Sequence, residues 1–441
     1  MGENALTPEE ARASARAWVS EHWHGTDDAA WRDALVEAGW AAPTWPVGRY
    51  GRGLARPAAQ AAVAEFTAAG APGAGVDIAP FGDNPWLHLL GNTLLAHGGP
   101  ELRARYLPRL LAGTLGRGCL LYSEPGAGSD LASLQTRADL VDPDVAGGEY
   151  VVNGQKIWTT GGRGARFGLL LARTNWDVPK HTGLTFFVID MSLPGIEIRP
   201  IRQITGEAEF NEVFLTDVRV PADAVVGAPG EGWRVLQVAL AAERAGMGAM
   251  ARAADGPGGP GGASGAGGAS GGASGAGGAS GGASELATLR AAAEDLVKAA
   301  RAAGRLGDPL VRDELVKIVS WRLTNTWTGQ RAAAEVRRGS SSLASLGKLA
   351  ASRVLHAGTD FAFRMQGRDS LVYDVDDPLA YPVDRALMFA FMNSIGGGSD
   401  QIQRNIISER VLGLPKGHEP DRGVPFRDVR TSGATRPVSP A

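Results

Sequence analysis

The sequence has only one cysteine among its 441 residues, and this scarcity excludes a disulfide within the chain. Cys119 stands between Gly118 and Leu120 in an apolar run, which is typical of a small buried side chain rather than a reactive thiol. The first residues lack the charged and apolar regions of a secretory signal. Both features suit a reducing compartment, and we expect a cytoplasmic protein.

Long apolar runs and an excess of one charge are missing as well. No run approaches the roughly 20 residues that cross a bilayer, so we expect no contact with a membrane. The 44 basic and 47 acidic residues give a formal net charge of −3, which offers no reason to expect nucleic acid as a partner. The histidines show no convincing metal-ligand spacing, and we assign no metal.

The patterns that are present predict an α+β protein. Helix formers with scattered apolar positions dominate the first 117 residues, and Thr7, Pro8 and Glu10 predict a capped helix start. From about 118 to 226, short runs rich in Val, Ile, Phe and Thr predict a β domain. The predicted helices are 8–22, 28–38, 56–68 and 100–112, and the predicted strands include 168–172, 184–189 and 211–215.

Asn153-Gly154 is the strongest turn signal in the β domain. It separates two β-rich runs, 149–152 and 155–158, by two residues. Asn-Gly between such runs favours a two-residue hairpin turn. We therefore predict a hairpin at this point.

Two later segments differ in composition from the predicted helices around them. Residues 256–284 consist mainly of Gly-Gly-Ala-Ser and Gly-Ala units, which predict a flexible coil with no chemistry of its own; whether it is natural or engineered stays open. Residues 420–441 predict a flexible tail. The expected domains are therefore 1–117 (helical), 118–226 (β), 227–419 (helical, containing the insert) and the tail.

The β domain contains two segments with polar groups at strand ends. Residues 121–130 read LYSEPGAGSD, an apolar strand that enters a glycine-rich turn carrying hydroxyls and carboxylates. Residues 156–162 read KIWTTGG, with an aromatic ring and two hydroxyls at a strand end. Glycines let main-chain N–H groups approach a ligand closely.

Together these segments resemble the flavin-binding strands of the acyl-CoA dehydrogenase family, and the order helices, β block, helices extends the resemblance over nearly the whole chain. The resemblance implies a middle antiparallel β-barrel or sandwich domain followed by a four-helix-bundle domain. It implies FAD as cofactor and α,β-desaturation of an acyl-CoA thioester. The residues it assigns to FAD are Leu121, Tyr122, Ser123, Gly128, Ser129, Trp158, Thr159, Thr160, Arg305, Arg364 and Ser399.

The catalytic base departs from the family pattern. Residues 394–406 resemble the family segment whose glutamate removes the α proton, but Gly397 occupies that position. The N–H of Gly397 could still bond the thioester carbonyl. Some family members place the base before an arginine on the helix that opens the C-terminal domain, which corresponds to Glu243 and Arg244. Asp400, or no base at all, are the alternatives.

The resemblance also implies partners. Ser129 and Arg244 would contact the acyl-CoA substrate, and an electron-transferring flavoprotein would take the electrons. A homodimer or tetramer is expected, because in the family a neighbouring subunit completes the FAD site. The segments around Arg305 and Arg364 are altered, so a half-site subunit of a heterotetramer stays open, as do an acyl thioester oxidase and a carrier-protein dehydrogenase. Acyl length and branching are not indicated.

Overall fold

The structure of the chain, a computed structural model, describes residues 6–79, 83–141, 147–241, 293–336, 343–377 and 380–429. Glu243, Arg244 and the insert 256–284 lie outside the described residues, as do residues 430–441.

Helices occupy the first part of the chain, close to the predicted positions. Thr7 and Glu10 form the predicted capping box: the Thr7 hydroxyl accepts from the Glu10 N–H, and the Glu10 carboxylate accepts from the Thr7 N–H at 2.8 Å. The helices are α1 (Pro8–His22), α2 (Ala29–Glu37), α3 (Arg56–Ala68), α4 (Asn92–His97, entered through a π-helical turn at Leu87–Gly91) and α5 (Pro100–Leu111).

A sheet of eight strands follows, in the order β6-β7-β3-β2-β4-β5-β8, with β1 beside β4. The strands are β1 (Gly118–Leu121), β2 (Arg137–Val141), β3 (Glu149–Thr160), β4 (Phe167–Arg173), β5 (Leu184–Asp190), β6 (Ile196–Pro200), β7 (Phe210–Pro221) and β8 (Val225–Val226). Most neighbours are antiparallel as expected, but β4 runs parallel to both β1 and β2, so the sheet is mixed.

The hairpin predicted at Asn153-Gly154 is wrong, because both residues lie inside the single strand β3. The register between β3 and β7 shifts between Val152 and Gly154, which marks a β-bulge. Asn153 exchanges two hydrogen bonds with Asp217 of β7, at 2.9 and 3.0 Å. A Cβ on Gly154 would lie 2.5 Å from the Thr136 hydroxyl. The glycine therefore permits close strand approach rather than a turn.

Both faces of β4 are buried, which explains its continuous apolar sequence. Leu169 and Leu171 pack with the N-terminal helices on one face. Leu170 packs on the other face with Phe187 of β5 and Val213 of β7. One face of the sheet thus packs against the N-terminal helices, and the other face contributes to a second hydrophobic core.

Helices return after the sheet. They are α6 (described over 232–241), α7 (Ala293–Ala302), α8 (Pro309–Val336), α9 (Ala344–Gln366), α10 (Pro382–Ile395) and α11 (Asp400–Ile406). Leu296, Leu315, Ile318 and Phe361 bring α7, α8 and α9 into one core, and Leu355 joins α9 to Phe389 of α10. None of the described helices is both long and apolar enough to cross a membrane.

The C-terminal segment, residues 414–429, packs against the loop between β4 and β5. The Phe426 N–H donates to the Val178 carbonyl at 2.9 Å, and the Arg427 N–H donates to the Trp176 carbonyl at 3.0 Å. The Phe426 side chain is 3% exposed. The flexible tail predicted from residue 420 is therefore corrected for 420–429, because these contacts hold them on the β domain.

Candidate active site

The two polar segments of the β domain meet in the structure. The Ile157 N–H of β3 donates to the Ser123 carbonyl at 2.9 Å. This bond continues the β1 strand direction past Leu121 and sets the glycine-rich turn beside Trp158. The chain thus brings together Leu121, Tyr122 and Ser123 with Trp158, Thr159 and Thr160, as the sequence predicts for one binding surface.

The Lys156 ammonium holds the glycine-rich turn in place through hydrogen bonds. The Lys156 side chain is fully buried, and its ammonium lies 2.8 Å from a Glu124 carboxylate oxygen, 2.8 Å from the Leu171 carbonyl and 3.2 Å from the Tyr122 carbonyl. An ammonium has three N–H donors, so these three acceptors satisfy it. One side chain therefore joins β3, β4 and the turn.

Glu124 is the buried counter-ion of Lys156 and is 8% exposed. Its carboxylate also accepts from the Gln135 N–H at 2.6 Å and the Thr136 N–H at 2.8 Å. Burial by itself would raise the pKa of Glu124, but the Lys156 charge and these hydrogen bonds outweigh it and lower the pKa below its usual value. Glu124 is therefore an ionised structural group.

The turn after Glu124 is tight and presents its end to solvent. Main-chain groups of Glu124 and Ala127 exchange two hydrogen bonds of 3.0 Å. Gly128 and Ser129, the predicted ligands that follow, are exposed. Asp130 accepts from the Lys180 ammonium at 2.8 Å. The exposed Ser129 hydroxyl and neighbouring main chain are thus held at a defined place on the surface.

Trp158 is held in an unusual conformation at the edge of this surface. Its φ is +61°, in the left-handed region that side chains rarely adopt, at a second register shift between β3 and β7. Its indole is 58% exposed and meets Phe210 edge-on at 5.9 Å. Strain of this kind persists where the surrounding structure imposes it, often at functional sites.

The threonines beside Trp158 differ in exposure. Thr160 is half-buried at the end of β3, whereas Thr159 is 1% exposed. The Thr159 hydroxyl has no hydrogen-bond partner among the described residues. An exposed indole, a half-buried hydroxyl and a glycine turn with accessible main chain form a surface that fits a planar, hydrogen-bonding ring system such as a flavin.

The loop that replaces the family glutamate is shaped by glycine. Gly397 and Gly398 have φ values of +64° and +87°, which glycine adopts readily. The fully buried Gln403 amide donates to the carbonyls of Gly397 at 3.1 Å and Gly398 at 3.3 Å. Ser399 caps α11 by accepting from the Ile402 N–H. No hydrogen bond among the described residues joins this loop to the β-domain segments.

Asp400, the alternative base, is already engaged. One carboxylate oxygen lies 3.2 Å from the Lys348 ammonium, and the other accepts from the Ser352 hydroxyl at 2.8 Å. Both partners are buried on α9. A carboxylate held by these two groups ties α11 to α9 and is poorly placed to collect a proton from a ligand.

Arg305 and Arg364, the predicted contacts to a neighbouring subunit's cofactor, form ion pairs in this chain. Arg305 pairs with Asp308 at 2.8 Å. Arg364 pairs with Asp360 at 3.0 Å and also with Glu314. Side chains of both arginines are about half exposed at 50% and 42%, so either could exchange its partner on assembly.

Sequence reasoning missed two positioning groups, the Lys156–Glu124 pair and Gln403. Lys156 and Glu124 each lie within a segment that the sequence singled out, and Lys156 alternates in phase with the apolar Tyr150 and Val152 of β3, which is a signal for a buried ion pair. Gln403 lies in the segment 394–406, but its burial carries no local signal, because a glutamine on a short amphipathic helix is usually solvated.

Models of three domains match the chain: the acyl-CoA dehydrogenase N-terminal domain over residues 4–114, the middle domain over 119–218 and the C-terminal domain over 279–412. The chain therefore belongs to the acyl-CoA dehydrogenase family, whose members are flavoprotein oxidoreductases acting on CH–CH groups.

Individual proteins show the same relationship. Acyl-CoA dehydrogenase IpdE1 of Mycolicibacterium smegmatis is 34% identical over 438 residues, covering 92% of this chain and 98% of that protein. Its namesake in Mycobacterium tuberculosis is 35% identical over 434 residues, with the same coverage. The ChsE4–ChsE5 complex from Mycobacterium tuberculosis has a similar fold (TM-score 0.62, 24% identity, 95% of this chain and 100% of that chain).

Proposed function

We propose that this chain uses FAD to desaturate an acyl-CoA thioester between its α and β carbons. A base would remove the α proton, and a hydride equivalent would leave the β carbon. The observation that carries the proposal is the contact between Ile157 and Ser123, because it joins the glycine-rich turn to the strand that presents the exposed Trp158. This arrangement supports one surface for a flavin and a thioester.

Different residues would bind different parts of the flavin and the substrate. Main chain from Tyr122 to Gly128 would line the flavin, with hydroxyls from Ser123 and Thr160 at its edge. The Trp158 indole would cover one face and exclude water there. Ser129 would bond the phosphates of FAD or the pantetheine of the substrate. The bound flavin would supply the hydride acceptor, since the cofactor carries the redox chemistry.

The proton would go to Glu243, and the Gly397 N–H would stabilise negative charge that develops on the thioester oxygen. Glu243 lies outside the described residues, but α6 is described up to residue 241, two positions before it. Buried Val235 and Leu236 fix this helix on the sheet. Gly397 itself carries no carboxylate, and Asp400 is committed to Lys348, so both observations support Glu243.

A visible spectrum of the purified protein, titrated anaerobically with a panel of acyl-CoAs, tests this function. Yellow protein that bleaches with one class of thioester is the expected result. Glu243→Gln should retain FAD and lose turnover by about 100- to 10,000-fold, the usual contribution of a general base. Glu231→Gln makes the same substitution at a glutamate near Glu243 in the sequence. This matched control should keep normal turnover.

Near-normal bleaching by Glu243→Gln would remove Glu243 from the mechanism. Asp400→Asn separates the alternative: we expect it to keep most of the turnover per bound flavin. Loss of bleaching in Asp400→Asn with retention in Glu243→Gln would reverse the two assignments.

Assembly into a dimer or tetramer and electron transfer to an electron-transferring flavoprotein complete the proposal. Large apolar side chains are exposed on the helical domain, including Trp327 at 62%, Phe391 at 59% and Ile395 at 69%. Exposed apolar groups of this size favour protein contacts. Sedimentation of the flavin-loaded protein should show a species larger than the 45.8 kDa chain.

A second candidate function is a half-site subunit that completes the cofactor site of a homologous chain. The replacement of the usual glutamate by Gly397, and the pairing of Arg305 and Arg364 within this chain, favour it. Protein that is colourless alone and acquires FAD only with a second homologous subunit would establish this role. Protein that is yellow alone and bleaches would reject it.

A further inference from the structure

Asn211 is a buried polar residue at the start of β7, outside the segments that resemble the flavin-binding strands. Its side chain is 1% exposed. In the register between β3 and β7, Asn211 lies opposite Thr159, the residue that follows Trp158. The Asn211 side chain is therefore next to the strand end that presents the exposed indole.

The Asn211 amide donates two hydrogen bonds to the main chain. Its Nδ2 lies 2.9 Å from the Thr159 carbonyl oxygen and 3.1 Å from the Glu209 carbonyl oxygen. The Glu209 carbonyl also accepts from the Gly161 N–H at 3.0 Å. A side-chain amide has two N–H donors, so both are used, and they join the end of β3 to the entry of β7.

These bonds close a β-bulge that contains Trp158. Lys156 of β3 lies opposite Val213 of β7. The next pair in register is Thr159 with Asn211, so two residues of β3 face one residue of β7. Trp158 is one of these two residues, and its φ of +61° is unfavourable for a residue with a side chain. Such a conformation persists where neighbouring contacts impose it, and the Asn211 bonds fix the peptide that follows Trp158.

The surroundings of Asn211 indicate that its amide serves these bonds rather than packing alone. The Asn211 Oδ1 and the Thr159 hydroxyl are both buried without a hydrogen-bond partner among the described residues. A buried unpaired acceptor is unfavourable, and an apolar side chain of similar shape, such as leucine, would avoid that cost. A Cβ on Gly162 would lie 3.3 Å from the Thr159 methyl group and 3.4 Å from the Asn211 Nδ2. The main chain at Gly162 therefore leaves the amide little room to turn away from the two carbonyls.

We propose that Asn211 is a positioning residue, which holds Trp158 in its left-handed conformation and thereby presents the indole to the flavin. Asn211 acts through the Thr159 peptide and is itself buried, so it does not face the cofactor. The bond from the Ile157 N–H to the Ser123 carbonyl fixes the bulge on its other side. The inference rests on the proposed function, because the flavin is the ligand that this surface would bind.

Near-ultraviolet circular dichroism of the purified full-length chain tests the position of Trp158 without turnover. The contribution of Trp158 is the difference between the unaltered protein and Trp158→Phe at equal flavin content. Asn211→Leu should at least halve this difference, because an indole that changes conformation loses its fixed surroundings. Asn153→Leu is the matched control, since Asn153 exchanges hydrogen bonds with Asp217 at the other bulge between the same strands. It should leave the difference unchanged.

The affinity for FAD provides the second readout. Asn211→Leu should weaken FAD binding about tenfold, on the scale of about two lost hydrogen bonds, and Asn153→Leu should leave it unchanged. Because Asn211 acts through Trp158, the two effects should not add. In a Trp158→Ala background, Asn211→Leu should therefore change the FAD dissociation constant by less than about twofold. Asn211→Ser, which is too short to reach both carbonyls, serves the same test if Asn211→Leu does not fold.

Two results would overturn the positioning role. One is a loss of FAD affinity that persists in full in the Trp158→Ala background, and the other is a Trp158 dichroism signal that Asn211→Leu leaves intact. Desaturation of a thioester by the unaltered protein would in either case still uphold the proposed function. A Trp158 signal that Asn211→Leu removes, in protein that no thioester bleaches, would support the positioning of Trp158 and reject the proposed function.

Discussion

Replacing Lys156 by Met tests how strongly the buried ion pair supports the candidate site. The substitution removes a fully buried ammonium and leaves the Glu124 carboxylate, 8% exposed, without its counter-ion. Breaking a buried pair from one side typically costs about 3–5 kcal/mol. At about 2–4 °C per kcal/mol for a unit of 150–250 residues, the unfolding midpoint should fall by about 6–20 °C.

The companion variants separate the ion pair from simple packing. Glu124→Gln should be destabilising for the reciprocal reason, because it leaves the buried Lys156 charge unpaired. The double variant Lys156→Met/Glu124→Gln should recover part of the loss, since it leaves no buried charge and the glutamine oxygen can still accept from one of the Gln135 and Thr136 N–H groups, which donate to different oxygens of Glu124. Lys298→Met, which breaks an exposed pair with Asp295, is the control and should cost less than about 1 kcal/mol.

Urea unfolding followed by tryptophan fluorescence measures these differences. A loss of stability below about 1 kcal/mol for Lys156→Met, or a double variant whose loss equals the sum of the losses of the two single variants, would refute the reasoning.

The dependence of stability on acid pH provides a further check. The folded pKa of Glu124 is lower than its usual value of 4.5, so its contribution is present above that pH and is lost as the pH falls through the folded pKa. The difference in free energy of unfolding between the unaltered protein and the double variant should therefore shrink at this acidic pH.

Three further substitutions or reactions test single features. Trp158→Gly should be more stable than Trp158→Ala by about 1 kcal/mol, because glycine adopts the left-handed backbone without strain. Equal stabilities of the two variants would contradict backbone strain at this position. Both variants should release flavin more readily than the unaltered protein on ultrafiltration. Gln403→Leu removes both donors to the Gly397–Gly398 carbonyls. Because the loop would be misplaced, kcat should fall about 10- to 100-fold, with flavin content and circular dichroism unchanged. An unaltered kcat would exclude a positioning role for Gln403. Burial raises the pKa of Cys119 to about 12, so a thiol reagent should label it only in denaturant, and rapid labelling of the native protein would contradict its burial.

Local signals predicted the elements whose ends depend on neighbouring residues. The capping box at Thr7 and Glu10 sets the start of α1, and proline sets the start of α3 and α5. The glycine-rich turn was likewise readable, because its backbone demands are local. The mutual position of residues 121–130 and 156–162 followed from the family resemblance rather than from periodicity.

Features that depend on distant partners were not readable. Asn153-Gly154 satisfies the hairpin rule locally, but β7 and Thr136 determine that the strand continues. Composition predicted a loose tail beyond residue 420, but Phe426 finds Arg173 and Trp176, which lie about 250 residues earlier. The burial of Lys156 depends on acceptors from the glycine-rich turn and from β4. Such partners are fixed by topology, which a single sequence does not contain.

The anchored Phe426 is one of several points that join the sheet to the helical domain. The short connection from β8 to α6 is another, and Tyr373 and Arg385 bond the Thr205 carbonyl and the Glu207 carboxylate in the loop between β6 and β7. A single joint permits a swinging motion, whereas separated joints oppose it. Releasing Phe426 alone would cost about 1.5–3 kcal/mol, and the Tyr373 and Arg385 contacts would still hold the two domains together. The helical domain therefore acts as a rigid support for the sheet.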